Sequence, residues 1–237
     1  MFKIHKMYLI NKVNILSLSI ILLISMVSSI FLFSSCNIME SYFFKSDLII
    51  SLKENIIMLF KLGILNLFIF IFGYSFSKDQ DSYNQLIDDF KQNIIKYFVS
   101  KILVLIYITF LFFLFFSFLV IISGKIFSNW FYIDYSFIKL IINMLMIVIV
   151  YGLLSIIISN ILGNSYSSFI IIFLFVFGEI LKDTNGAFNL YNIYSIFFPS
   201  IDITNLYISS YGLIHLSCLI IVYFLISLLG YLKKMHY

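Results

Sequence analysis

The chain has 237 residues, of which 62% are hydrophobic, 20% aromatic and only 11% charged. Ordinary soluble domains carry about 25% charged residues, so this composition excludes a soluble enzyme and describes a chain whose bulk faces lipid or other apolar helices. The formal net charge of +4 comes from 15 basic residues that are all lysine and scattered singly, which gives no electrostatic footprint for nucleic acid.

A helix rises about 1.5 Å per residue, so crossing about 30 Å of hydrocarbon takes about 20 apolar residues and the gaps between charges read as spans. The first gap gives a span over residues 14–34. Its lead of Lys3, Lys6 and Lys12, ending in Phe33-Ser34-Ser35-Cys36, also resembles a lipoprotein signal peptide. Phe33 fits that pattern poorly and the apolar stretch exceeds a signal core, so the segment is read as a retained span. The second span covers 55–77, with Lys61 inside its outer turns because Leu62 to Ser77 alone is too short to cross.

A cytoplasmic segment, 78–100, follows. Tyr83, Leu86, Ile87, Phe90, Ile94 and Phe98 recur at helical spacing, so an amphipathic helix is expected there, lying on the inner membrane face with Asp88, Asp89 and Lys91 turned to the cytoplasm. The third span covers 101–124. The charge-free run from Leu140 to Gly178 is too long for one helix and predicts two, 139–162 and 166–182, joined by a turn at Gly163-Asn164-Ser165. Residues 184–209 hold Asn185, Gly186, Asn189, Asn192 and Pro199, whose polar groups are costly in lipid, so this part is read as an outer re-entrant segment rather than a crossing. The last span covers 211–232.

The expected fold is therefore all-α: one polytopic domain of six transmembrane helices. Lysine placement orients it, since cytoplasmic flanks are enriched in basic residues. Lys3, Lys6, Lys12, Lys78, Lys91, Lys96, Lys101, Lys233 and Lys234 fall on the side of both termini, against Lys45, Lys53, Lys125, Lys139 and Lys182 on the other. Both termini are expected in the cytoplasm.

Charged groups inside a membrane are costly and mark candidate sites. Lys61 and Glu179 stand at similar depth, so an ion pair on a translocation path is geometrically allowed. The alternative, favoured by their placement in the outer third, is that Lys61 snorkels to the interface and Glu179 ends its helix in the headgroups. His215, Asn66, Asn143 and Asn160 read as interhelical hydrogen-bonding residues, and Trp130, Phe131, Tyr132 and Tyr135 as an outer aromatic belt. No cofactor or metal is expected: the histidines at 5, 215 and 236 are dispersed, and Cys36 and Cys218 lie far apart with no ligand spacing.

The order of parts resembles the permease subunit of a type 2 ABC transporter, the six-span exporter family that includes bacteriocin and lantibiotic immunity permeases. The resemblance rests on the basic lead, on Tyr74-Ser75-Phe76-Ser77-Lys78-Asp79 closing the second span, and on the amphipathic stretch ending in Tyr97-Phe98-Val99-Ser100-Lys101. The short link between spans four and five and Ile196-Phe197-Phe198-Pro199-Ser200 before the sixth also fit. Glutamate and a Gly-Thr pair, usual in that family, are replaced by Asp79, Asp81, Ser82 and Tyr83.

The resemblance implies a bacterial plasma-membrane protein that exports an antimicrobial peptide or other amphipathic cargo. It also implies a second permease copy or sister subunit and a separate cytoplasmic ABC ATPase docked on the loop, with Asp79, Asp81, Asp88, Asp89 and Lys91 as coupling candidates. Gly124-Lys125 lacks the upstream glycine and the following Ser or Thr of a phosphate-binding loop, so ATP would be hydrolysed by that partner and the chain itself would not be an enzyme. The rival class is an ATP-independent secondary transporter or channel, which would place ionisable or broken-helix sites near the midplane.

Overall fold

The computed structural model describes residues 19, 20, 23, 27, 33, 44–77, 94–183, 194–199 and 211–236, and all regular structure among them is helical. The span expected over 14–34 lies outside the described residues apart from Ser19, Ile20, Leu23, Val27 and Phe33, each of them helical.

Helix α1 (Lys45–Leu59) runs through a π-turn (Phe60–Ile64) into α2 (Leu65–Ser75) without a break. This helix starts ten residues before the expected Asn55. Leu48, Ile49, Leu52 and Ile56 are buried along one stripe, and Lys53 is buried among them. Lys53 does not end the helix at a water boundary, because its ammonium is held by Asp134. The correction moves Lys61 from the outer turns to about 24 Å from the Lys45 end and about 21 Å from the Ser75 end.

Residues 94–100, the end of the expected amphipathic segment, lie in one helix with the third span, α3 (Ile94–Phe127), and 78–93 lie outside the described residues. Lys101 does not mark a water boundary: it is buried, with Nζ 4.5 Å from the centre of the Phe76 ring and 5.3 Å from that of Tyr97. Helix α4 (Tyr135–Leu162) begins at an N-cap, Asp134, whose Oδ1 accepts from the Phe137 amide at 2.9 Å. It ends where expected, at Gly163, whose φ of 71° is a backbone only glycine adopts without strain. Asn164 completes the reversal by accepting from the Tyr166 amide at 2.8 Å. A 3-10 turn (Ser165–Ser167) then leads into α5 (Ser168–Asp183), and α6 (Tyr211–His236) closes the described chain.

Four helical stretches are long and apolar enough to cross a membrane: Lys45–Ser75, Ile94–Phe127, Tyr135–Leu162 and Gly212–Lys233. This is the architecture of a multi-pass membrane protein. The fifth expected span, α5, is apolar but only 16 residues long, or about 24 Å.

Helices α2 and α4 form the centre. From Ile147 to Ile156 every residue of α4 is buried, as an all-apolar helix must be when other helices surround it. Small residues let the two helices approach: a Cβ on Gly152 would lie 2.5 Å from the Phe72 ring, and one on Gly73 would collide with the hydroxyls of Ser155 and Ser168. Hydroxyls then satisfy one another, Ser159 donating to the Gly73 carbonyl at 2.9 Å and Ser155 to Ser168 at 3.0 Å. Asn160 reaches α6, donating to the Ser227 carbonyl at 3.2 Å.

At the same end Phe76, Phe98 and Tyr231 pack edge-on or tilted with ring centres 5.1 to 5.7 Å apart, tying α2, α3 and α6 together. The outward faces of α3, α5 and α6 carry exposed residues such as Phe118, Phe173 and Leu229, suited to lipid.

Candidate functional site

Midway along the Lys45–Ser75 helix, the π-turn widens the backbone by one residue per turn, a feature that recurs at functional sites. Lys61 sits in this turn and its ammonium meets Glu179 Oε2 of α5 at 2.6 Å, with the two side chains 16% and 25% exposed. Helix register agrees on the depth. Counting from the Gly73–Ser168 contact, Lys61 lies about 18 Å up its helix and Glu179 about 17 Å up its own.

Lys61 and Glu179 thus form the ion pair that their similar depth in the sequence allowed, with a carboxylate standing level with the ammonium. Asn66 completes the site from the α2 side. Its amide nitrogen donates to the carbonyls of Leu62 at 3.0 Å and Lys61 at 3.4 Å, both in the π-turn. These bonds stay within one helix, so Asn66 is not the interhelical link expected.

Two acceptor oxygens at this site, Asn66 Oδ1 and Glu179 Oε1, are buried and lack a hydrogen-bond partner. Each such orphan costs about 1–3 kcal/mol. The arrangement therefore gathers a cation, an anion and two unpartnered acceptor oxygens at the π-turn and the facing part of α5.

A second polar cluster, unforeseen in the sequence, lies about 12 Å from Lys61 toward the Lys45 end. Lys53 donates to Asp134 Oδ2 at 2.6 Å and also to Ser136, whose hydroxyl in turn donates to Asp134 Oδ2 at 2.7 Å. Burial pushes the Asp134 carboxyl upward, but the bonds from Lys53, Ser136 and the Phe137 amide outweigh it and hold the group below its ordinary range. The run Asp134-Tyr135-Ser136-Phe137 ahead of an apolar stretch is a helix-start signal and could have pointed to Asp134. Nothing in one sequence pairs it with Lys53, 81 positions away.

The described part of the outer segment, the helical turn from Tyr194 to Phe197, packs between α5 and α6. Its position is set by side chains meeting carbonyls. Tyr194 donates to the Leu174 carbonyl, Tyr223 donates to that of Phe197 at 2.8 Å, and His215 Nε2 lies 2.9 Å from that of Ile196. Tyr223 stands about 18 Å along α6 from Tyr211, so the turn reaches well below the helix end. His215 thus bonds a loop rather than a neighbouring span.

Trp130 departs from the aromatic belt as well: it is buried, its ring 6.1 Å from Phe33, while Tyr132 and Tyr135 are exposed. Cys218 is a free, exposed thiol.

Of the expected site residues, Lys61 and Glu179 are brought together. Asp79, Asp81, Asp88, Asp89 and Lys91 lie outside the described residues, where the ends of their loop are fixed by Phe76 and Phe98. Among the described residues no three His, Cys, Asp or Glu side chains gather as a metal site would need. In comparisons with known proteins, no family model, no curated protein and no solved structure matches the chain.

Proposed function

We propose that the chain is the membrane-spanning permease subunit of an ABC exporter, with six spans and both termini in the cytoplasm of a bacterial plasma membrane. The order of parts in the sequence supports this reading, and one structural observation carries it furthest. Both ends of the 78–93 loop are mounted on a shared aromatic cluster, Phe76 and Phe98 packing on Tyr231. A partner pressing on that loop would move α2, α3 and α6 together, which is what a coupling element must do. On this reading a separate cytoplasmic ATPase docks there through Asp79, Asp81, Asp88, Asp89 and Lys91, and a second permease copy or sister subunit completes the path. The chain does no chemistry of its own and binds no cofactor. Its cargo is an antimicrobial peptide, as in lantibiotic or bacteriocin self-immunity, or another amphipathic compound.

The Lys61–Glu179 pair and its π-turn favour a second reading, an ATP-independent secondary transporter, because such proteins place ionisable groups and broken helices deep in the bilayer. One experiment separates them. Tagged full-length chain, purified from its native membrane, should bring down a protein identified by mass spectrometry and nucleotide hydrolysis as an ABC ATPase. Charge reversal in Asp88→Lys/Asp89→Lys should lose it while the chain still inserts. Transport by the purified chain alone in liposomes, without ATP, would overturn the exporter reading.

A further inference from the structure

The Lys61–Glu179–Asn66 site has an imbalance of hydrogen-bonding groups that the pair itself does not resolve. The ammonium of Lys61 is engaged by Glu179 Oε2 at 2.6 Å, and the amide nitrogen of Asn66 is engaged by the carbonyls of Leu62 and Lys61. What remains is two acceptors, Glu179 Oε1 and Asn66 Oδ1, both buried and both without a donor. Native structures rarely leave such oxygens unmet, and no described residue supplies a donor to either one.

The site borders lipid rather than a sealed core. Glu179 is 25% exposed, and its chain neighbour Ile180 and Lys61's neighbour Leu62 are exposed on the apolar surface at 56% and 69%. A molecule approaching there would come through the acyl region, so it must be amphipathic. Its polar head must donate hydrogen bonds, since an anion would meet a carboxylate oxygen and an amide oxygen whose nearby cation is already paired.

We propose that this site binds the head of an amphipathic molecule, a primary ammonium in the first place and a hydroxyl more weakly, which enters sideways from the bilayer. The proposal rests on the transport reading above only for the fate of that molecule; the binding itself stands on the two oxygens.

The test uses the full-length chain in phosphatidylcholine nanodiscs and radiolabelled dodecylammonium, with 1-dodecanol and dodecanoate as comparators and empty nanodiscs as the partition blank. Saturable binding of dodecylammonium above the blank is expected, weaker binding of 1-dodecanol, and none of dodecanoate. Lys61→Met/Glu179→Leu, neutral and close in volume, should weaken the ammonium at least tenfold, and Asn66→Leu at least threefold, with helical content by circular dichroism confirming that each variant folds. Uptake no greater than in empty nanodiscs, unchanged affinity in the folded double variant, or tighter binding of dodecanoate would each overturn the proposal. ATPase capture by the same preparation is scored separately. Binding without capture sinks the exporter reading and keeps the site, and capture without binding does the reverse.

Discussion

Removing one partner of the Lys61–Glu179 pair should destabilise the bundle more than removing both. Lys61→Met leaves the Glu179 carboxylate in an apolar setting with neither oxygen paired, and Glu179→Leu leaves the ammonium of Lys61 without its carboxylate. Breaking a fully buried pair from one side costs about 3–5 kcal/mol. Here the side chains keep 16% and 25% of their exposure, so the orphan is only partly desolvated and the figure falls to about 2 kcal/mol for each single substitution. The double substitution Lys61→Met/Glu179→Leu removes both charges and fills the gap with apolar atoms, so it should cost about 1 kcal/mol or less. The coupling term of the double-mutant cycle is then about 3 kcal/mol, above the ~0.6 kcal/mol average for polar contacts between membrane helices because both partners are ionised. Equilibrium unfolding of the full chain in mixed dodecyl maltoside and dodecyl sulfate micelles measures all four corners. Additivity within about 0.5 kcal/mol would refute the pair as a coupled unit.

Three further outcomes follow from other parts of the bundle. Asp134 is held below its ordinary range when folded, so the unfolded chain binds the extra proton. Stability is full above the unfolded value of 3.8 and falls as pH drops through the lower folded value; a thermal-unfolding series from pH 5 downward should show this slope, and Asp134→Asn should flatten it. Gly152→Ala forces a methyl group to within 2.5 Å of the Phe72 ring and should cost about 1–3 kcal/mol, whereas Gly63→Ala meets nothing within 4 Å and should be neutral or slightly stabilising; equal effects in detergent unfolding would contradict the packing of α2 on α4. Tyr223→Phe deletes the 2.8 Å bond to the Phe197 carbonyl, costing about 1 kcal/mol and raising hydrogen exchange in residues 194–199, with no change in exchange if that bond does not hold the turn.

Periodicity and turn chemistry carry through to the structure where they act locally. Gly163 and Asn164 reverse the chain as their backbone preferences require, and α4 ends at Leu162 as expected. Charge gaps failed as boundaries at Lys53 and Lys101. Each is a lysine with a partner on a distant element or the far side of a loop: Asp134 for one, the Phe76 ring for the other. A neutralised or ring-shielded ammonium no longer demands water, so helices run on past the charges that had been used to end them. The Lys61–Glu179 pair was legible as a geometric possibility, because counting along both helices from their inner ends puts the two residues at similar depth.

The Lys45–Ser75 helix is thus anchored three times along its length by different chemistry. Near one end Lys53 ties it to the N-cap of α4; in the middle Lys61 ties it to α5; near the other end Gly73 is locked against Ser155, Ser159 and Ser168. The two outer anchors bind mainly to α4 and rely on close packing or a capped carboxylate. The middle anchor alone lies on a π-turn, where one residue of slack in the backbone can be absorbed or released. If the pair opens, the helix can relax there while both ends stay fixed, so motion of α5 relative to α4 need not dismantle the core. An ion pair, unlike an apolar contact at the same place, can be opened by a competing charge or hydrogen-bond donor, and this one sits where the described helix leaves the regular α ladder.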